Sequence, residues 1–241
     1  MKKELKLKKQ IALVQLIILT LAVSACASNY PSSENNTSTT AYNNYNPLVT
    51  ENNYPDISTE IGEIIRFGGN DWRVLDIQNN SALIISEKSL MKRDYIGISW
   101  ENSWLRQYLN GSFYIRNFSE EEKSRIMESV IVNDDVIGRI DDNDTVDKVF
   151  LLSVKEVVYY FGDSGILNDS LMSDRIFHID DQYNSARVLK DKDNRAVWWW
   201  LRHNSIFPAG NTEAGHIYLY GGSICDFVGG IRPAMWIDLT Q

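Results

Sequence analysis

Cysteine is almost missing from this chain of 241 residues: Cys26 and Cys225 are the only two. A disulfide framework of the kind that staples small exported domains is therefore excluded, and stability must come from an ordinary apolar core. Histidine is nearly as scarce, with His178, His203 and His216 alone, which leaves few ways to assemble an imidazole-based metal or proton-transfer site. The chain also has no phosphate-cradling glycine loop and no Gly-x-Ser-x-Gly nucleophile elbow, so two common routes to catalysis are closed. Outside the first nine residues there is no run of basic side chains.

Long apolar stretches are lacking too. Residues 11–21 form one, too short to span a bilayer comfortably. It is preceded by Lys2, Lys3, Lys6, Lys8 and Lys9 and followed by Val23-Ser24-Ala25-Cys26. A basic start, an apolar middle and small residues before a Cys resemble a bacterial lipoprotein signal over residues 1–25. The resemblance implies cleavage before Cys26 and lipid on its sulfur. The protein would then sit at the cell membrane, facing outside the cytoplasm, with the lipid as its membrane contact. Cys225 is left without a partner for an intramolecular disulfide; within residues 224–228, apolar but for Asp226, it reads as a small buried hydrophobe rather than a reactive thiol.

Without residues 1–25 the chain keeps 19 basic and 31 acidic side chains, a formal charge of −12. Such a balance argues against nucleic acid as a partner and against electrostatic adhesion to anionic lipid. Residues 26–58 are rich in Asn, Ser, Thr and Tyr, hold Pro31, Pro47 and Pro55, and have almost no aliphatic side chains. They read as a flexible tether, because they cannot bury enough surface to offset their ordering entropy. Its Tyr30, Tyr42, Tyr45 and Tyr54 offer contacts to wall polymers or simply decorate a solvated linker.

The domain proper is expected over residues 59–241. Residues 63–67, 71–77 and 82–86 read as three strands joined by Gly68-Gly69-Asn70 and Asn79-Asn80, which tolerate the positive φ of tight hairpins. Trp104, Leu105, Tyr108 and Leu109 recur at helical spacing behind Asn102 or Ser103, with Asn110-Gly111 as the expected stop and Trp104 and Tyr108 as a packing stripe. Ser119 with Glu122, and Ser153 with Glu156, are capping boxes that start two more helices, the second ending at Gly162. Residues 129–132 and 149–152 read as short strands, and residues 163–182 as an irregular excursion. In the acidic stretch between the two strands, Asp141, Asp142 and Asp144 offer oxygen ligands to calcium; no cofactor is expected otherwise. The spacing is not that of an EF-hand loop, and a solvated acidic loop fits it as well.

Ala196-Val197-Trp198-Trp199-Trp200-Leu201-Arg202 is apolar up to its Arg and reads as a central strand buried on both faces, with Trp198 and Trp200 on one side and Trp199 on the other. A loop over residues 203–215 follows, then a strand at 216–220, a turn at Gly221-Gly222, a partner strand at 223–228 and a closing strand at 231–239. Arg202 and Arg232 suit either an anionic ligand or, as structural residues, carbonyls, carboxylates and Trp faces. Gly229 and Gly230 mark a bulge or a close approach of strands.

Trp-Trp-Leu-Arg at 199–202 and Gly-Gly-Ile-Arg-Pro-Ala at 229–234 resemble an uncharacterised bacterial surface-domain family. Further points of likeness are Asn70-Asp71-Trp72-Arg73-Val74-Leu75, Leu105-Arg106-Gln107-Tyr108-Leu109-Asn110 and Asp147-Lys148-Val149-Phe150-Leu151-Leu152-Ser153. Members of that family resemble C-type-lectin-like folds, a group that includes formylglycine-generating enzymes. The resemblance implies an α+β domain with short antiparallel sheets, two or three flanking helices and a long loop before the C-terminal hairpin. In lectin-like folds that loop usually carries the ligand site, which here points to His203, Asn204, Asn211, Glu213, His216, Tyr218 and Tyr220. The calcium-dependent sugar signature of C-type lectins is absent, and one Cys cannot supply the Cys pair of formylglycine-generating enzymes. A non-catalytic module for a glycan, peptide or envelope protein is therefore expected. The alternatives are a metal-dependent envelope enzyme, using His178 with Asp180 or His203 with His216 and Glu213, and a protein that docks other envelope components.

Overall fold

The computed structural model describes residues 59–97, 99–133, 143–167, 178–202, 210–219 and 228–240, within a compact unit running from Asn53 to Gln241. The signal, the tether, Cys26, Asp141, Asp142, His203, Asn204, Tyr220, Gly221-Gly222 and Cys225 lie outside the described residues. Among the described residues no helix is long and apolar enough to cross a membrane. The fold is α+β.

β1 (Ile64–Phe67), β2 (Asn70–Gln78) and β3 (Ser81–Ser86) form an antiparallel meander. Its turns carry Gly68 and Gly69 at φ 53 and 69, and Asn79 and Asn80 at φ 49 and 60. Two successive positive φ values give a turn whose twist matches the flanking strands. The fourth strand of this sheet is β14 (Ala234–Asp238), paired antiparallel with β3. Lying between β2 and β14, β3 is buried at every residue.

Ser103 caps α1 (Trp104–Tyr108) by accepting the Arg106 N–H. The helix does not stop at Asn110-Gly111. A π-helical turn, Leu109–Phe113, carries the chain into α2 (Tyr114–Asn117). The Asn110 side chain explains this: its Nδ2 donates to the carbonyls of Arg106 and Val149, and its Oδ1 accepts the N–H groups of Lys148 and Val149. The residue is spent on tertiary bonds, and the widened turn absorbs it. Leu105 and Leu109 go inside, whereas Trp104 is 40% exposed and stacks on Tyr108, with centroids 5.2 Å apart and planes 12° apart. Of the expected packing stripe, Tyr108 is partly buried against the core while Trp104 lies outside it, because the leucine pair one position along occupies the inward face. The capping boxes of α3 (Glu120–Arg125) and α4 (Val154–Phe161) form as expected, and α4 ends at Gly162.

The run at 196–202 is not one strand. β9 (Ala196–Val197) forms a ribbon with β8 (Leu189–Lys190), and β10 (Trp199–Trp200) then enters a different, six-stranded sheet. The order there is β4 (Met91–Arg93), β13 (Gly229–Ile231), β10, β11 (Gly210–Asn211), β12 (Ile217–Tyr218) and β7 (His178–Ile179). Only the β10–β13 pair is parallel. The chain changes partners at Trp198, whose carbonyl accepts the Gly230 N–H. Trp198 and Trp200 meet edge to face at 4.5 Å, while Trp199 is fully buried. The closing strand also divides. Pro233, which has no N–H for a ladder, separates β13 from β14 and so passes the chain from one sheet to the other. β5 (Ser129–Ile131) and β6 (Thr145–Asp147) make a separate ribbon. The strand expected at 149–152 reduces to one bridge, Phe150 with Ala234, bonded in both directions at 2.7 and 2.9 Å.

The segments that carried the resemblance bind one another. A Cβ at Gly229 would come within 2.6–2.7 Å of the Trp198 and Trp200 rings, and one at Gly230 within 2.9 Å of the Trp198 carbonyl, so close approach rather than φ requires glycine. Asp147, buried, accepts from Arg106 Nε, Trp100 Nε1 and Thr145 Oγ1 at 2.7–2.8 Å. Arg202 donates to the Leu151 carbonyl at 2.6 Å and pairs with Glu156 at 3.1 Å. Arg232 donates from Nε to the Ser86 carbonyl, with its guanidinium over Phe161 and Trp199 at 4.9 and 5.2 Å. Burial pushes its pKa down to about 10, so it stays charged at neutral pH.

Candidate functional site

Of the loop residues singled out from sequence, His216 and Tyr218 are brought into a cluster, and their partners come from the stretch expected to be irregular. Tyr218 on β12 pairs in register with His178 on β7, and Ile217 with Ile179. Side chains alternate along each strand. Ile217 and Ile179 therefore point into the core, while His178, Tyr218 and Asp180 are exposed and His216 is partly so. The His178 and Tyr218 rings stack with centroids 5.6 Å apart and planes 24° apart. One step further along the strands, His216 Nε2 lies 3.5 Å from Asp180 Oδ1. Two imidazoles, a carboxylate and a phenol thus occupy one solvent face of a two-strand edge.

The backbone beneath is held firmly. The turn before β12 closes through Gly215 N–H to the Thr212 carbonyl and His216 N–H to Thr212 Oγ1, both 3.0 Å. Gly215 has φ 90, and a Cβ there would run into the carbonyl of Asn184 on α5 (Asn184–Arg187), so the turn rests on that helix. On the other strand, Asp180 accepts from Asn184 Nδ2 at 2.6 Å. Its neighbour Asp181 faces inward and is gripped by Arg187 through two bonds of 2.9 and 3.1 Å. Ser164 Oγ and the Tyr183 N–H donate to the same carboxylate. Burial alone would raise its pKa; the Arg187, Ser164 and Tyr183 bonds outweigh that and hold it below the usual carboxylate value. Arg187 also donates to the Gly162 carbonyl, and its own carbonyl receives Trp199 Nε1 at 3.1 Å. A continuous line of bonds therefore runs from the core Trp to the edge strand.

Sequence reasoning missed Arg187 and Asp181 as positioning residues, and it missed the strand at 178–179. One signal was available: His178-Ile179-Asp180 and His216-Ile217-Tyr218 share a polar–apolar–polar alternation. The other predicted residues fall differently. Asn211 lies on β11, its backbone paired with Trp199 and Ile217, and Glu213 is exposed in the turn. Asp144 is exposed and accepts the Asn133 N–H at 3.1 Å. Among the described residues no three His, Cys, Asp or Glu side chains converge as a metal site requires.

Chemically, the face offers a flat π surface beside donors and acceptors. It suits a ligand with an apolar face and a polar rim, such as a sugar ring or a peptide segment. A family model described as a domain of unknown function, DUF6273, matches residues 79–239. No match to a curated protein or to a solved structure was found.

Proposed function

Since the chain belongs to the DUF6273 family, whose description assigns no activity, we propose from its own residues that it is a non-catalytic binding module, with its ligand on the β7–β12 face. The observation that carries this reading is the exposed Tyr218–His178 stack beside the His216–Asp180 pair, set on a backbone fixed from below by Arg187 and Asp181. Exposed polar and aromatic groups on a rigid support are what a recognition surface needs, because little ordering entropy remains to be lost on binding. The ligand is a glycan, peptide or envelope protein. The lectin-like resemblance enters as part of the proposal, supported by the closure of the opening meander by the last strand and by the helices that intervene. We place the module outside the cytoplasm, tethered by residues 26–58 to a lipid on Cys26. The short apolar run and the small residues before that Cys support this.

The test is a thermal melt of the full chain with cell-wall glycans, muropeptides, calcium and EDTA. A ligand that binds only the folded state raises Tm by mass action, and Tyr218→Ala should abolish the rise given by uncharged glycans. A rise that survives Tyr218→Ala would move the site elsewhere. Cys26→Ser should release the protein from the membrane fraction; retention there would remove the lipid anchor from the proposal.

A further inference from the structure

The opposite edge of the six-stranded sheet carries a second exposed aromatic group, of a different chemistry. β4 is the edge strand there, and the carbonyl of Arg93 on it is held by Trp200 Nε1 at 2.8 Å. The backbone of Arg93 is thus fixed to the core, while its side chain is exposed. The guanidinium lies over the stacked pair on α1, 5.8 Å from the Trp104 ring and 5.2 Å from Tyr108. Beside them Ile96, 46% exposed, adopts φ 32, a conformation rare for a β-branched residue. Its carbonyl is held there by the Trp104 N–H at 3.0 Å.

Arg93 differs from most arginines of the domain. Arg66, Arg73, Arg106, Arg187, Arg195 and Arg202 each hold a carboxylate. Among the described residues Arg93 has neither an ion pair nor a side-chain hydrogen bond, and neighbouring Asp94 is not paired with it. Its guanidinium carbon lies over the aromatic rings, and no side chain or carbonyl among the described residues accepts from its N–H groups. Those donors match a carboxylate in bidentate fashion. The guanidinium is a local positive charge that can offset the repulsion an anion meets from a chain of net charge −8. The exposed surfaces of Trp104 and Ile96 add the apolar area on which the C–H face of a sugar ring lies.

We infer that Arg93, Trp104 and Tyr108 form a second ligand site, independent of the β7–β12 face, for a sugar ring bearing a carboxylate. The test is calorimetric titration of the full chain with N-acetylmuramic acid and with N-acetylglucosamine, which lacks the lactyl carboxylate. The expected result is saturable binding of the first, with the second weaker by about tenfold or more, as loss of a charge-assisted bidentate contact implies. Arg93→Gln should erase that difference, Trp104→Ala should remove the carboxylate-dependent binding, and Tyr218→Ala should leave the difference between the two sugars in place. Trp104→Phe, which keeps a ring, should retain the preference and guards against a misfolded Ala variant. Equal affinity for the two sugars, no binding of either, or binding lost in Tyr218→Ala but kept in Trp104→Ala would overturn the inference. So would equally tight, Arg93-dependent binding of D-alanyl-D-alanine, because the site would then read a bare carboxylate and not a sugar.

Discussion

The junction of β10 with β13 and the edge made by β7 and β12 use the same residue types for opposite ends. At the junction, aromatic and cationic side chains face inward: Trp199 is fully buried, and the buried Arg232 guanidinium lies over its ring and that of Phe161. At the edge, Tyr218, His178 and Asp180 face water, and only Ile217 and Ile179 pack. Aromatic content therefore does not distinguish scaffold from site; what lies under each ring does. Of the segments that carry the family likeness, 199–202 and 229–234 belong to the first region and none belongs to the second, so that likeness describes how the domain holds together. The exposed face has to be judged on its own geometry.

The comparison breaks most completely where the two regions are joined. Arg187→Ala leaves Asp181 buried without its counter-charge, since the side chains are 0% and 2% exposed. Loss of one partner of such a pair costs about 3–5 kcal/mol, read as a lower midpoint in denaturant unfolding. It should also disorder the edge strand, seen as faster hydrogen exchange at residues 178–180. Next comes Gly229→Ala. The added methyl has to displace Trp198 or Trp200, at a cost of about 1–3 kcal/mol for overpacking, again measured as a shifted midpoint.

Acid sharpens the same link. Asp181 has a folded pKa below its unfolded value, so the stability it contributes is present above about pH 4, the ordinary Asp value, and is lost as pH falls through the lowered folded pKa. Between those limits the wild type should lose stability as pH drops, and Asp181→Asn should flatten that limb. An unchanged slope would separate the pair from the acid response. The smallest effect on folding belongs to Tyr218→Ala, which loses an exposed cross-strand stack on His178 at a cost of about 0.2–1 kcal/mol, even though it should abolish ligand-induced protection.

Local devices were legible in the sequence and long-range ones were not. Asn79-Asn80, Ser119 with Glu122 and Ser153 with Glu156 act within a few residues of themselves, and the structure uses each as its chemistry suggests. Trp104 and Tyr108 lie at the same spacing as Leu105 and Leu109. Helical periodicity alone could not say which pair faces inward. Asn110 looked like a helix stop because its partners, Lys148 and Val149, are remote in the chain. The break at Trp198 depends likewise on Gly230. The site suffered most from this limit, since the pairing of 178–179 with 217–218 spans nearly forty residues and includes only two residues on each strand. Its one local trace, the shared alternation around Ile179 and Ile217, is too short to outweigh the irregular sequence around it.

One consequence of β14 concerns synthesis. A chain emerging N-terminus first completes β1, β2 and β3 early, yet the free edge of β3 waits for Ala234–Asp238, about 150 residues later. Until then a strand whose four central residues are apolar exposes its hydrogen-bonding edge, a template for pairing with other chains. The nascent domain must therefore be kept from its neighbours until its last strand has been delivered, and a ribosome that halts before residue 234 leaves a product prone to aggregate rather than a shortened domain.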